Sequence, residues 1–456
     1  MFFTPNPPRA KTVKESVREE IDDTLLSDEE NLGDEIGRVS SVREAAHSDR
    51  ERRALKELLA KKGAQDNEAH KESRPLPKGF SHPAVADAPV FNQKYRVDCS
   101  GSDGALCGCL SPQLNLFAVG CRDGSIRLIR NSGDELDSLY VNSAPEVTAT
   151  AATTRRAAGR DEAPPASTAS PFRGPVTALS WKPECHNGTT SNILLGCDSQ
   201  GTLSLIHATT GTVIRSASET DNQILAAAYL MDGRRFLTAG TDETIRVYDD
   251  GTGRLEQTLR YVGEGTVGHA SRVTCLHEME ESKLIVSGSW DSSLHFWDLR
   301  EGAGRPVNSM HGIFIGGGDA IDSYGSTIAT ATMASKHCLQ LWDVRSPGQL
   351  LTTYPTASSG TTLYCTRFLD NQRLVCAGSG TDGSHHGDAT KGAETKGHQG
   401  SGSLQVLDIA SGRNLTEYTC SSKSPIFSVS IRVDPKDQTQ VIGIASSRSA
   451  ECLSVI

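Results

Sequence analysis

No apolar run in this chain approaches the roughly twenty residues that a membrane-spanning helix needs. The opening residues, MFFTPNPPRAKTV, also lack the charged-then-apolar pattern of a secretion signal. The expectation is therefore a cytoplasmic or nuclear protein with no membrane partner. Positive charge is in deficit. The net charge is −10 and the pI is near 5.7, which argues against a general nucleic-acid binder, since that needs a basic footprint. Paired cysteine spacing is missing too. The twelve cysteines are scattered, many on strand-like segments (Cys121, Cys197, Cys275, Cys376), so buried reduced thiols are expected rather than a disulfide or zinc framework. No phosphate loop, Gly-x-Ser-x-Gly elbow or kinase motif set occurs. Asp319 and Asp322, in GGDAID, read as acids of a turn leading into a strand. His385, His386 and His398 lie in a Gly-rich stretch without preorganised geometry, so no metal site is expected there. No cofactor and no catalytic residue are expected.

Glycine is plentiful, at 43 residues, and fits many tight turns. The clearest pattern is LIVSGSWDSSLHFWD, Leu284 to Asp298. An alternating apolar strand ends in small residues, a turn carries Asp291, and a second alternating strand ends at Trp297-Asp298. Weaker copies run from Leu116 to Ile129, Ile193 to Ile206, Arg235 to Asp250 and Thr327 to Arg345. Another starts at Arg373 and resumes at Gly402 to Asp408, and the last is Val441 to Ile456. Most recur at roughly forty to fifty residues, the interval of a four-stranded repeat.

This pattern resembles the WD-repeat family, over about Phe91 to Ile456. The resemblance implies an all-β fold, a seven-bladed propeller, with Leu284–Asp298 in blade four. It also implies a buried tetrad of His269, Ser287, Asp291 and Trp297, in which His bridges Asp and Ser, and Ser reaches the indole N–H. Other blades depart from the pattern. Blade three has Tyr248 in the Trp position, and blades one, two and seven end in Ile. The chain stops in the third strand of blade seven. Val90 to Val97 (VFNQKYRV) is either a linker or the closing fourth strand, and the open edge otherwise left favours closure.

Residues 1–90 are polar and charged and cannot bury a core. Glu15 to Arg38 carries ten acids against two arginines. Val13, Val17, Ile21 and Leu25 would make a narrow apolar stripe on one helix, and Ser41 to Lys62 is a second helical candidate. These read either as partner-binding helices or as a largely disordered, solvated tail. Two insertions, 141–172 and 380–401, would project from one face of the ring, as partner elements or as excursions without a role.

Ile285 to Arg300 also resembles the sixteen-residue box of cullin–RING ubiquitin-ligase substrate receptors, and Trp342-Asp343-Val344-Arg345 repeats its ending. That resemblance implies partner contacts through Arg300 and Arg345, with Trp297, Asp298, Trp342 and Asp343, on the face opposite the insertions. Arg after Trp-Asp is also common in propellers that never meet a ligase. Three readings follow: a non-catalytic protein–protein interaction scaffold, a ligase substrate receptor, or a structural component of a cytoskeletal or ciliary assembly. All three expect a monomeric propeller within a complex of other proteins.

Overall fold

The computed structural model describes residues 88–130, 172, 174–184, 192–260, 268–301, 304–333, 338–345, 349–354, 362–379, 402–434 and 436–456. The chain divides into two units, Met1–Ala69 and His70–Ile456, and all described residues belong to the second. The helices expected before residue 70 lie outside them. So do nearly all of the two expected insertions and the three histidines of the second.

The architecture is a seven-bladed β-propeller. The innermost strands are Ala105–Leu110, Val176–Trp181, Ile224–Tyr229, Val273–Glu278, Ile321–Tyr324, Thr362–Phe368 and Ile426–Val433. Each packs beside the next and the seventh packs beside the first, so the ring is closed. Each blade is an antiparallel sheet built outward from its innermost strand, and blade one shows three strands among the described residues. In Ile285–Ser289 and Ser293–Trp297 every side chain is buried, because both faces of a blade are covered by its neighbours.

The core therefore lies between blades. Leu237 and Val247 of blade three pack with Val273, Ile285 and Trp297 of blade four. Small residues set how closely blades approach: a Cβ on Gly288 would lie 3.0 Å from Ile321 of blade five. Phe172, expected as the last residue of the first insertion, is instead buried between blades one and two, with Gly196 against its ring. Its aromatic side chain belongs to the core, so the insertion ends before it.

Blade seven is completed from the other end of the chain. Phe91–Asp98 pairs antiparallel with Ser449–Val455, from Phe91 opposite Val455 to Asp98 opposite Ser449. Val90 and Ile456 exchange both backbone bonds, at 3.1 and 3.0 Å. The segment is the closing strand. Gly104, just beyond it, has φ +99°, and a Cβ there would fall 2.1 Å from the Ser447 carbonyl oxygen. Only glycine fits this crossing from the closing strand into blade one.

Candidate functional site

Blade four holds the best-defined polar cluster. The Trp297 indole N–H donates to Ser287 Oγ at 2.8 Å, and Ser287 Oγ lies 2.6 Å from His269 Nε2. The serine hydroxyl accepts from the indole and donates to Nε2, so the imidazole carries its proton on Nδ1. Nδ1 lies 3.1 Å from Asp291 Oδ2. Asp291 also accepts from Ala270 N at 2.8 Å and Ser293 N at 2.9 Å. All four members are buried. Burial opposes ionisation of Asp291, but attraction to His269 and the bonds from His269, Ser293 and Ala270 outweigh it and hold the carboxyl well below the usual range.

His295 sits against this network, its ring 4.2 Å from that of His269. Its Nδ1 lies 2.6 Å from Ser309 Oγ and its Nε2 3.3 Å from Ser293 Oγ. The donor atoms of His269, Asp291 and His295 are close enough to hold a metal. Each already has a protein partner, so the cluster reads as a cross-link within the blade. Burial pushes His295 from 6.5 down to about 3. Between these values the unfolded chain binds a proton that the folded chain does not. Stability is therefore full above about pH 6.5 and falls as pH drops towards 3, by at most about 1.4 kcal/mol per pH unit from this group. Urea titrations at pH 7 and pH 5 should show a smaller pH loss for His295→Gln than for the wild type. An equal loss would mean that His295 is not held neutral.

Blade three solves the same problem with other residues. Glu219 takes the histidine position and accepts from Tyr248 OH at 3.0 Å, from Asn222 Nδ2 at 2.6 Å and from Thr238. Arg246 bridges Glu219 and Asp242. Sequence reasoning noticed Tyr248 but missed Glu219 and Arg246. The available signal was spacing. Glu219 precedes Thr238 by nineteen residues, and His269 precedes Ser287 by eighteen. Blade five keeps half of the tetrad, with Trp342 Nε1 donating to Thr330 Oγ1 at 3.1 Å.

The tetrad and its repeat spacing agree with a family comparison. Residues 260–298 match the family model "WD domain, G-beta repeat". The chain is a WD-repeat β-propeller. Similar proteins include "WD repeat-containing protein 37" of Mus musculus, 26% identical over 140 residues, which are 30% of this chain and 26% of the relative. "Mitochondrial division protein 1" of Aspergillus oryzae is 27% identical over 135 residues, 30% of this chain and 19% of the relative. "Poly(A)+ RNA export protein" of Schizosaccharomyces pombe is 25% identical over 136 residues, 29% of this chain and 35% of the relative. The chain thus spans about a quarter of the length of the first of these relatives. WD-repeat propellers typically lack catalysis and generally bind other proteins.

The two Trp-Asp-x-Arg endings of the WD-repeat propeller are built alike. Arg300 Nε and a terminal guanidinium nitrogen bond the two Asp298 oxygens at 2.8 and 2.6 Å. Arg345 does the same with Asp343 at 3.0 and 2.8 Å. Their side chains are 72% and 63% exposed. The bonds from Arg300 and Arg345 hold the Asp298 and Asp343 carboxyls below their ordinary value. Trp297 and Trp342, expected among the partner-contacting residues, are buried with their indoles bonded inside the blades. They present nothing to a partner. Asp298 and Asp343 are engaged by their own arginines, so each turn offers the remaining N–H groups of one fixed guanidinium.

The axial channel of the propeller, about 630 Å³, is lined by its innermost strands. Asp319 and Asp322 lie there, not merely in a turn. Asp319 pairs with Arg367 at 2.5 Å and bonds Ser428, linking blades five, six and seven. Arg367 also donates to the carbonyls of Asp319 at 3.1 Å and Ile321 at 3.0 Å. Asp322 Oδ2 accepts from Phe368 N at 2.7 Å. His277, on blade four, reaches Ser323 at 2.8 Å, and burial lowers its pKa. These groups satisfy one another across blade seams. The thiols of Cys275 and Cys376 are pushed up to about 12 by burial, as suits packing residues.

Proposed function

We propose that this propeller is a non-catalytic protein–protein interaction scaffold. The observation that carries the reading is how its buried titratable groups are used. In blades three and four they bond one another within the blade, and along the channel they tie blades together, leaving no acid–base pair aimed at an open cleft among the described residues. A rigid ring with exposed turns on two faces suits the presentation of surfaces. By the same reading its place of action is the cytoplasm, the nucleus or both.

A second, narrower reading is a substrate receptor of a cullin–RING ligase. It is favoured by the repetition of one exposed Asp–Arg fork on adjacent blades. Other forks, Asp232 with Arg235 and Asp370 with Arg373, are less exposed. A guanidinium whose orientation is already fixed loses little freedom when it donates to an adaptor carboxylate or carbonyl. Affinity purification of the wild type beside an Arg300→Ala/Arg345→Ala variant, read by mass spectrometry, tests it. The receptor reading expects a cullin adaptor with wild type only. The same adaptor-free set from both baits rejects the receptor and leaves the scaffold standing. Recovery of no protein by either bait counts against the scaffold itself.

A further inference from the structure

Three large apolar side chains stand exposed on neighbouring loops of one face. Trp290, in the turn between the second and third strands of blade four, is 48% exposed. Phe314, in the connection from blade four to blade five, is 45% exposed, and Met333, entering the corresponding turn of blade five, is 48%. Backbone bonds hold these loops in register. Trp290 N donates to Arg272 O at 3.1 Å, Ile313 N to Ser292 O at 3.0 Å, and Met333 N to Phe314 O at 2.9 Å.

The other three tryptophans are buried, so the exposed one is the exception in this chain. The Arg272 guanidinium lies over its ring, 4.5 Å from the centroid. A guanidinium held over an aromatic face in this way can still donate its N–H groups to a carboxylate. Among the described residues no carboxylate pairs with Arg272. Glycines let the loop that carries Phe314 pack closely against its neighbours. A Cβ on Gly316 would strike Met333 Sδ, and one on Gly317 would fall 1.9 Å from the Tyr364 carbonyl oxygen.

An apolar group of this size, fixed on a rigid face and carrying Trp and Arg, has the composition of an interface hot spot. We infer that Trp290, Phe314, Met333 and Arg272 form a docking surface for a short acidic–apolar peptide segment of a partner protein. Its apolar side chains seat against Trp290, Phe314 and Met333. One of its carboxylates accepts from the guanidinium of Arg272. This deepens the scaffold reading above and rests on it. It uses the face opposite the Arg300 and Arg345 forks, so a scaffold could hold two proteins at once.

The test is selection of a display library of random short peptides on the full chain, followed by titration of the winning synthetic peptides. Trp290 is the exposed tryptophan, so binding reads directly as a change in its emission. The expected winners carry Asp or Glu beside Leu, Phe, Met or Trp. Their affinity should fall by about tenfold or more on Arg272→Ala and on Phe314→Ala, and should weaken as salt rises. Both substitutions are on the surface, and unchanged melting curves would confirm intact folding. Winners that are neutral or basic, or that bind both variants as tightly as wild type, overturn this surface but leave the scaffold reading intact. So does an empty selection from a chain that still recovers partners in the affinity purification. An empty selection with no partners recovered overturns both.

Discussion

Replacing Asp291 by alanine is expected to lower the unfolding free energy by about 2–4 kcal/mol. The carboxylate accepts from His269 Nδ1, Ala270 N, Ser293 N and the Ser293 hydroxyl, all inside the blade. Alanine removes the acceptor and leaves those donors buried. Because Ser287 donates to His269 Nε2, the imidazole cannot turn its proton elsewhere without breaking that bond as well. Urea denaturation followed by far-ultraviolet circular dichroism measures the loss. Asp291→Asn, which keeps one acceptor oxygen, should fall between wild type and alanine. A loss under about 0.5 kcal/mol for alanine, the range of ordinary surface substitutions, would show that the network contributes nothing net.

Removing the closing strand should have the larger effect. A chain that begins at residue 99 lacks every pair from Phe91 opposite Val455 to Asp98 opposite Ser449. It also loses the packing of Tyr95 and Val97 on the core around Phe117, Val441 and Cys452, and of Phe91 on Tyr418 at 5.9 Å. The strand Ser449–Val455 is then an unpaired apolar edge, a template for pairing with other chains. The expected result is loss of the cooperative thermal transition, with aggregation on size exclusion. A chain beginning at residue 70, which keeps the strand, should melt cooperatively. If the shorter chain melts at the same temperature as the longer, the strand is not what holds the ring shut.

Blade four was legible because it spells out the whole pattern, and the tetrad needs only residue identity and spacing to be read. The closing strand was legible by a different argument, from the edge left open after Val455 and from the strand-forming residues at Phe91–Val97. Blade three was harder. Glu219 and Tyr248 reproduce the histidine–hydroxyl–aromatic arrangement with other chemistry, so a search by residue type passes over them. Asp319 and Asp322 were read as local turn acids because their partners, Arg367 and Ser428 for the first and Phe368 for the second, lie on later blades, and nothing in a linear pattern joins those positions. Trp297 and Trp342 were assigned to a surface on motif grounds. The buried tetrad already gave the answer for Trp297, and the structure buries every residue of both strands.

The closing strand also fixes an order of events. Ser454 bonds the carbonyl of Asn92, 362 positions earlier in the chain. During synthesis Phe91–Asp98 emerges long before Ser449–Val455 exists, so it must wait without its partner while six blades are made. Blade seven is then assembled from the newest and the oldest parts of the propeller together. A pairing between positions this far apart is of the kind that slows folding, and a strand waiting without its partner is open to capture by chaperones or by other chains.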